Sequence, residues 1–142
     1  MTFISIRPER HSYKIIKKTG EFVINLTTVK LAFATDFCGV KSGRDINKWE
    51  RLKLTPIKGE QVKAPLIEQS PVNIECRVEE IKSLGSHEMF MAKVLMVHAD
   101  KEYMDKNGAF DLRKAESICY SHGHYYALGK HLGNFGFSVK KR

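Results

Sequence analysis

The stretch VNIECRVEEIKSLGSHEMFMAKVLMVHAD, residues 72–100, decides the fold class. Apolar and polar residues alternate from Val72 to Val78, and the alternation resumes at Ile81 after a slip of one position. GSH at residues 85–87 is a turn signal, and a second alternating run follows from Met89 to Val97. Because the side chains of a strand point alternately to its two faces, these two runs predict a long antiparallel hairpin.

Shorter strands are predicted on both sides of this hairpin. TFISIR (2–7) is an apolar run that stops at Pro8, and EFVINLT (21–27) is rich in β-forming residues. The connector TPIKGEQVKAPLIEQSP (55–71) contains three of the four prolines, which favours short edge strands. SICYSHG (117–123) predicts one more short strand.

Small helices are predicted between the strands. Residues 9–18 carry apolar side chains at helical spacing, and Gly20 follows as a C-cap. A second helix is expected between Thr28 as N-cap and Gly39 as its end, and a third after Asp45. YYALGKHLGNFG (125–136) has a helical pattern until its glycines interrupt it. Together the elements predict a mainly β, β-rich α+β domain with one antiparallel, barrel-like sheet and small flanking helices.

Length and composition limit the classes of function. A chain of 142 residues with 42% hydrophobic residues favours one domain with a real core. No apolar run approaches the ~20 residues of a membrane span, and the start MTFISIRPER lacks the order of a signal peptide. We therefore predict a cytoplasmic protein without a membrane partner.

The net charge of +8 favours anionic partners. No RNP-type aromatic strand, helix-turn-helix or zinc finger accompanies the charge, so a nucleic-acid partner is not predicted. The sequence also contains no GxSxG, HExxH, P-loop or GxGxxG motif. His122 and His124 have no cysteine or carboxylate partner at a known metal-site spacing. Neither a catalytic residue nor a metal ligand is therefore predicted.

The cysteines do not form a motif. Cys38, Cys76 and Cys119 are odd in number and widely spaced, which argues against a disulfide framework and against a CxxC-type site. We expect three separate reduced thiols in or near the core.

The first candidate binding segment is RPERHSY, residues 7–13. It supplies Arg7, Arg10 and Ser12 at the predicted junction between a strand and a helix. Phosphate binding needs cations and short donors at a helix start, where the helix dipole is positive. The composition of this segment alone is also that of a solvated basic turn.

A second candidate segment is FCGVKSGRDINKWE, residues 37–50. Phe37 and Cys38 precede a small, basic loop that contains Ser42, Arg44 and Lys48. An apolar edge beside phosphate-seeking loops suits a planar cofactor with a phosphate tail, although an ordinary surface loop would have the same composition.

Asn25 is a third candidate, because it lies among apolar neighbours in the middle of a predicted strand. A buried asparagine needs partners for its hydrogen-bonding groups. Its side chain either binds local backbone or reads the polar edge of a ring, and the sequence leaves both roles open.

Taken together, these segments are similar to the flavin reductase-like, FMN-binding split-barrel family, and within it to the flavoredoxin branch. The resemblance runs along essentially the whole chain and rests on ISIRPERHSYKIIKKTGEFVINLTT, LAFATDFCGVKSGRDINKWE, APLIEQSPVNIECRV, LGSHEMFMAKVLMVHAD and YSHGHYYALGKHLGNFGFSV. It implies a single domain over residues 1–142 with an antiparallel, Greek-key split β-barrel. It also implies a homodimer with FMN at or near the dimer interface.

The resemblance implies roles for residues in four segments. The FMN phosphate and ribityl chain are expected after the first strand, at Arg7, Arg10 and Ser12, with Ser5 and Tyr13 nearby. The isoalloxazine ring is expected beside Asn25 and Leu26, with its edge at Phe37, Cys38 and Gly39. Further phosphate candidates are Ser42, Arg44 and Lys48. His87, in the turn GSHEMF, is expected on the nicotinamide or substrate side.

The implied function is that of a flavin reductase-like or flavoredoxin-type oxidoreductase or electron carrier, with NAD(P)H or a redox protein as electron donor. Flavin performs the redox chemistry itself, so few acid–base side chains are needed. Compared with the family, the chain is short at its N-terminus, and the usual first barrel strands are expected to be missing. The missing strands would leave an open sheet edge. The alternative is a truncated, flavin-free split-barrel dimer that serves as a binding module for an anionic partner.

Overall fold

The computed structural model of the chain describes residues 1–139 and consists mainly of strands. In chain order the elements are β1 (Thr2–Ile6), α1 (His11–Thr19), β2 (Glu21–Asn25), α2 (Ala32–Val40), α3 (Lys48–Leu52), β3 (Pro56–Ile57), β4 (Leu66–Ile67), β5 (Val72–Ser83), β6 (Glu88–Ala99), β7 (Ile118–Ser121) and β8 (His124–Ala127). Short 3₁₀ turns lie at Val29–Leu31, Lys101–Tyr103 and Phe137–Val139. The prediction of a mainly β fold with small helices is confirmed.

Four strands form one curled antiparallel sheet in the order β1-β6-β5-β2. The central pair, β5 and β6, is the predicted long hairpin. Its register shifts between Val78 and Glu80, which is the slip that the sequence places before Ile81. With the short β3 and β4 set aside, β2, β5 and β6 follow one another along the chain and lie side by side in the sheet. The first strand, β1, lies beside the last strand, β6. This order is that of a Greek key.

The core lies on the sheet face against which α1 packs. Phe22 of β2, Cys76 of β5 and Ala92 of β6 are buried there, and Phe22 is directly opposite Cys76 in the strand register. Partly buried apolar side chains surround them: Ile4, Ile16, Ile24, Ile74, Val78 and Val94. Burial raises the pKa of the Cys76 thiol. The apolar positions of the alternating pattern therefore form the core face of the sheet.

The three cysteines are separate free thiols, as predicted, but the predicted place in or near the core is correct only for Cys76. Within residues 1–139 no disulfide joins the three cysteines, but Cys38 and Cys119 are exposed rather than in the core. Cys38 lies near the end of α2 and Cys119 lies in the exposed strand β7. Neither position packs against the face of the sheet that α1 covers.

Helix α1 ends as predicted, whereas the bounds of α2 and α3 differ from the prediction. Gly20 has a left-handed φ of 68°, and its N–H donates to the carbonyl of Ile16. Gly39 stays within α2, which continues to Val40, because its backbone remains right-handed. The N-cap of α3 is Asn47 and not Asp45, since Asp45 closes a turn by donating its N–H to the Ser42 carbonyl.

Two strand predictions are also corrected. Strand β2 ends at Asn25, two residues before the predicted end at Thr27. Residues 125–127, which were expected to be helical, form β8 together with His124 and pair with β7. The link between these strands is His122-Gly123, and both residues have positive φ, as a tight two-residue hairpin turn requires.

Among the helices of residues 1–139, none has both the length and the apolar composition that crossing a membrane requires.

Candidate functional site

A cavity of about 650 Å³ lies between the start of α1 and the segment that runs from the end of α2 into α3. Polar and basic side chains reach it from both sides: Arg7, Glu9, Arg10, His11, Ser12, Lys41, Ser42, Arg44 and Lys48. Its apolar lining comes from Ile15, Val40, Trp49, Leu54 and Ile67, and Cys38 and Gly43 complete the wall. The two basic segments that the sequence singled out therefore meet at one cavity.

The start of α1 forms the first basic side of the cavity. Arg10 is the N-cap residue, and within residues 1–139 its side chain makes no capping hydrogen bond to the helix. The first N–H groups of a helix have no acceptor inside it, and the dipole makes this end positive. The backbone N–H groups of His11 and Ser12 are thus available to an anion. Arg7 is paired with Glu9 at 3.4 Å, but an exposed pair of this kind contributes little and can yield to a ligand.

The end of α2 is joined to α1 and α3 by two cations. Lys48 donates from Nζ to the Cys38 carbonyl at 2.8 Å, and Arg10 donates from Nη1 to the Gly39 carbonyl at 3.3 Å. Cations near the carbonyls at a helix end interact favourably with its negative dipole. These contacts bring segments about 30 residues apart in the chain to the same cavity, since Arg10 and Gly39 are separated by 29 positions.

The loop after α2 is stabilised by its own side chains. Ser42 accepts the Arg44 backbone N–H at its Oγ over 3.2 Å, and Arg44 donates from Nε to Asp45 at 3.4 Å. Both members of the Arg44–Asp45 pair are exposed, so the guanidinium is bound only weakly.

Of the predicted site residues, Arg7, Arg10, Ser12, Cys38, Ser42, Arg44 and Lys48 line this cavity. Gly39 adjoins it through the carbonyl that accepts from Arg10. The roles that the family resemblance implies for these residues stay predictions, but the structure brings them together.

Tyr13 points away from the cavity and is buried against β6. Its hydroxyl donates to Glu88 at 2.8 Å and accepts from Lys17 at 2.6 Å. Its ring meets Phe90 edge-on, with 5.7 Å between ring centroids. The hydrogen bond to Tyr13 raises the pKa of Lys17, and the Glu88 carboxylate adds to this effect. Tyr13 therefore anchors α1 to the sheet.

Asn25 and Leu26 lie at the end of β2, outside the cavity lining. Asn25 accepts the Ile67 backbone N–H at its Oδ1 over 3.3 Å, so its partner is backbone 42 positions away in the chain rather than local backbone. The Leu26 backbone donates to the Val72 carbonyl at 2.9 Å. Asn25 thus reaches the cavity only through Ile67, which does line it.

The remaining predicted residues lie elsewhere. The Phe37 ring stacks on Phe33 at 6.2 Å, and the Arg51 guanidinium lies 5.9 Å from its centroid. Ser5 is exposed on β1, and the half-buried His87 lies in the β5–β6 turn with its Nδ1 2.9 Å from the Ser86 hydroxyl.

Several cavity residues were not predicted from the sequence. Ile15 lies three positions after Ser12 in α1, so helical spacing could have indicated it, and His11 lies one turn before Ile15 on the same face. Trp49 follows Lys48 directly and is the only tryptophan in the chain. Ile67 comes from the proline-rich connector, and no local signal in the sequence links it to the basic segments.

Within residues 1–139, no group of three or more histidine, cysteine, aspartate or glutamate side chains is arranged to hold a metal ion. The chemistry of the cavity is instead that of an anion site beside an apolar wall.

The comparisons with known proteins agree with this geometry. Residues 1–129 match the model of the flavin reductase like domain family, and the chain therefore belongs to that family. An uncharacterized protein of Archaeoglobus fulgidus is 36% identical over 98 residues, which cover 68% of this chain and 55% of that protein. The chain spans about half the length of the curated relatives it matches first.

Two solved structures show the same fold. The flavoredoxin of Desulfovibrio vulgaris (Miyazaki F) superposes with a TM-score of 0.87 at 26% identity, covering 98% of this chain and 76% of that one. The FMN-binding protein of Thermus thermophilus superposes with a TM-score of 0.77 at 19% identity, covering 93% of this chain and 71% of that one. The split-barrel prediction is thereby confirmed.

Proposed function

We propose that the cavity binds FMN and that the protein is a flavin reductase-like oxidoreductase or electron carrier that passes electrons through the bound FMN. The observation that carries this proposal is the meeting of residues 7–12 and 38–48 at one cavity with an apolar wall. Membership in the flavin reductase like domain family supports a flavin as the ligand. The likeness to an FMN-binding protein supports FMN in particular.

The start of α1 is the part of the cavity suited to the phosphate. Arg7 and Arg10 supply positive charge, and the Ser12 hydroxyl and the first N–H groups of α1 supply donors. Hydrogen bonds to an ionised group are about twice as strong as neutral ones, and helix starts favour anions. This end of the cavity would hold the phosphate.

The apolar wall suits the ring system. Trp49, Leu54 and Ile67 line the cavity together with Ile15 and Val40, and an aromatic ring buries a large apolar area against such side chains. When bound, FMN supplies the electron-transfer chemistry. The role of the chain is to bind the cofactor, orient it and limit the access of water.

We further propose that the protein works as a homodimer and takes electrons from NAD(P)H or a redox protein. A flavin that passes electrons on must be reduced again, so a donor is required. The dimer is supported by exposed apolar side chains in β8 and in the segment after it, among them Tyr126, Leu132 and Phe135.

The test of this function is the absorbance spectrum of the purified, gel-filtered protein before and after incubation with FMN. Twin flavin bands that co-elute with the protein are expected, and FMN should quench the emission of Trp49, which lines the cavity. A folded but colourless protein that does not take up FMN would overturn the proposal. That result would favour the flavin-free binding module for an anionic partner.

Arg10→Ala tests the phosphate end of the cavity. Losing a charge-assisted contact should weaken FMN affinity roughly ten- to a hundredfold, measured by titration of Trp49 emission. Lys93→Ala is the matched control, because Lys93 is an exposed cation on β6 outside the cavity. Equal FMN affinity in both variants would remove Arg10 from the site.

A further inference from the structure

The connector between β3 and β5 is held on the outer face of the sheet by side chains. Glu75 of β5 is fully buried, and its carboxylate accepts three backbone N–H groups of the connector. The donors are Glu60 at 3.0 Å, Gln61 at 2.7 Å and Val62 at 2.8 Å. A buried carboxylate with this many donors holds the backbone in one conformation.

A second contact lies nearer the cavity. Asn73, two residues before Glu75 on the same face of β5, accepts the Ile67 backbone N–H at its Oδ1 over 3.0 Å. Its amide group donates to the Ser70 carbonyl at 3.3 Å, so both ends of the buried side chain are used. Asn25, opposite Asn73 in the register of β2 and β5, adds the longer contact to Ile67.

Two more side chains on the same face of the sheet also bind the connector. Glu21 of β2 accepts the Lys63 backbone N–H at 2.9 Å, and Arg77 of β5 donates to the Gln61 carbonyl at 3.2 Å. We call the set Glu21, Asn25, Asn73, Glu75 and Arg77 the clasp. Its members all lie on the sheet face opposite the core, as the pairing of Phe22 with Cys76 requires.

The connector fits the clasp closely. A Cβ at Gly59 would lie 2.6 Å from the Val62 carbonyl oxygen and 2.9 Å from the Glu75 carboxylate. Both distances are too short for any other residue without a shift of the loop, so Gly59 leaves room for the carboxylate to reach the N–H groups. His98 of β6 adds a contact of 2.5 Å between its Nε2 and the Glu75 carboxylate.

We infer that Glu75 and Asn73 are positioning residues for the cavity, which hold the connector so that Ile67 forms part of its apolar wall. Asn73 binds the Ile67 backbone N–H directly, whereas Glu75 binds the N–H groups of residues 60–62, which precede Ile67 in the same connector. Ile67 contributes its side chain to the cavity and its backbone N–H to the clasp. The clasp side chains themselves lie outside the cavity lining. Their effect on a ligand therefore passes through Ile67. The expected consequence, tighter FMN binding, rests on the proposed function.

Glu75→Gln tests the inference. The amide has only one acceptor oxygen and places an NH₂ group against backbone donors, so the connector should detach. We expect faster hydrogen exchange at the amides of residues 60–62 and at Ile67, and FMN affinity lower by about tenfold or more. Glu80→Gln, an exposed glutamate on the same strand, is the matched control and should change neither readout.

Gly59→Ala tests the same contact from the connector side. It should lower FMN affinity and speed hydrogen exchange at residues 60–62. Gly129→Ala should do neither, because an added Cβ there meets no atom of residues 1–139 within 4 Å apart from its two chain neighbours. Val78→Ala weakens the core without touching the clasp and shows what general destabilisation does. FMN affinity is compared under conditions in which Glu75→Gln and Val78→Ala have the same free energy of unfolding. If affinity falls no further in Glu75→Gln than in Val78→Ala, the inference is overturned.

The outcomes separate the inference from the proposed function. If the unchanged protein binds no FMN, the proposed function fails. Hydrogen exchange at the Ile67 amide and iodide quenching of Trp49 fluorescence still measure how well the cavity wall is formed. Unaltered exchange and quenching in Glu75→Gln would then overturn the positioning role. If the protein binds FMN and Glu75→Gln binds it equally well, only the inference fails.

Discussion

Glu75 is a carboxylate that stays ionised without exposed surface. Burial raises its pKa, but the hydrogen bond from His98 and the three backbone N–H groups outweigh burial and lower its pKa to about 2. An unpaired charge in this place would be strongly destabilising, so the partners and the glutamate depend on one another. The buried anion therefore joins β5, β6 and the connector.

The stability of the protein should accordingly fall in acid. Because the pKa of Glu75 is lower in the folded than in the unfolded chain, its contribution is complete above about pH 4.5 and is lost as pH falls toward 2. The loss is about 3 kcal/mol. Urea unfolding at a series of pH values measures it.

The slope of the unfolding free energy against pH in this window should be smaller in Glu75→Gln than in the unchanged protein. Asp111, whose pKa is also lowered to about 2 by its hydrogen bonds with Arg113, titrates in both proteins and cancels in the comparison. Identical slopes in the two proteins would contradict the role of Glu75.

At the scale of elements, glycine affects stability in opposite ways at the ends of two helices. Gly20 ends α1 in the left-handed conformation, where a side chain is strained. Gly39 lies inside α2 with right-handed backbone, where glycine is a poor helix former. At both positions, apart from the chain neighbours and the backbone of the same helix, an added Cβ would meet no atom of residues 1–139 within 4 Å, so backbone preference alone should decide the effect of a substitution.

Alanine at these two glycines should change stability in opposite directions. Gly20→Ala should lower the free energy of unfolding by about 1 kcal/mol, because alanine resists positive φ. Gly39→Ala should raise it by a few tenths to about 1 kcal/mol, since alanine favours the helix. Thermal unfolding followed by circular dichroism measures both, and a loss of stability in Gly39→Ala would show that the end of α2 is not helical in solution.

At the scale of the whole molecule, apolar side chains are left on the surface at one end of the chain. Leu132 is 90% exposed and Phe135 is fully exposed, and the hairpin β7–β8 presents both faces to solvent. A two-stranded hairpin is marginal without a packing partner. This is the surface that we expect a second copy of the chain to cover.

Leu132→Glu should therefore convert a dimer into a monomer, since a charge in an apolar interface is costly. Analytical ultracentrifugation over a range of concentrations gives the dissociation constant. Leu84→Glu, at an exposed leucine in the β5–β6 turn, should leave it unchanged. If the unchanged protein is monomeric, or if both variants dissociate alike, the proposed dimer surface is wrong.

The sequence by itself determined the parts of the fold that have a local signature. The hairpin of β5 and β6, its register slip before Ile81 and the end of α1 at Gly20 were all predictable. Strand alternation and the left-handed C-cap depend on residues within a few positions of one another. The basic character of residues 7–12 and 38–48 was equally visible, because charge is a property of composition.

Tertiary structure alone decided which of these residues meet. The bond from Arg10 to the Gly39 carbonyl, the turn of Tyr13 away from the cavity and the contribution of Ile67 have no local signal. The same holds for β8, where pairing with β7 overrode a helical pattern, and for Glu75, which looked like an outward-facing polar position of an alternating strand. A connector docks on that face in the folded chain, and long-range packing of this kind sets burial and contact independently of local pattern.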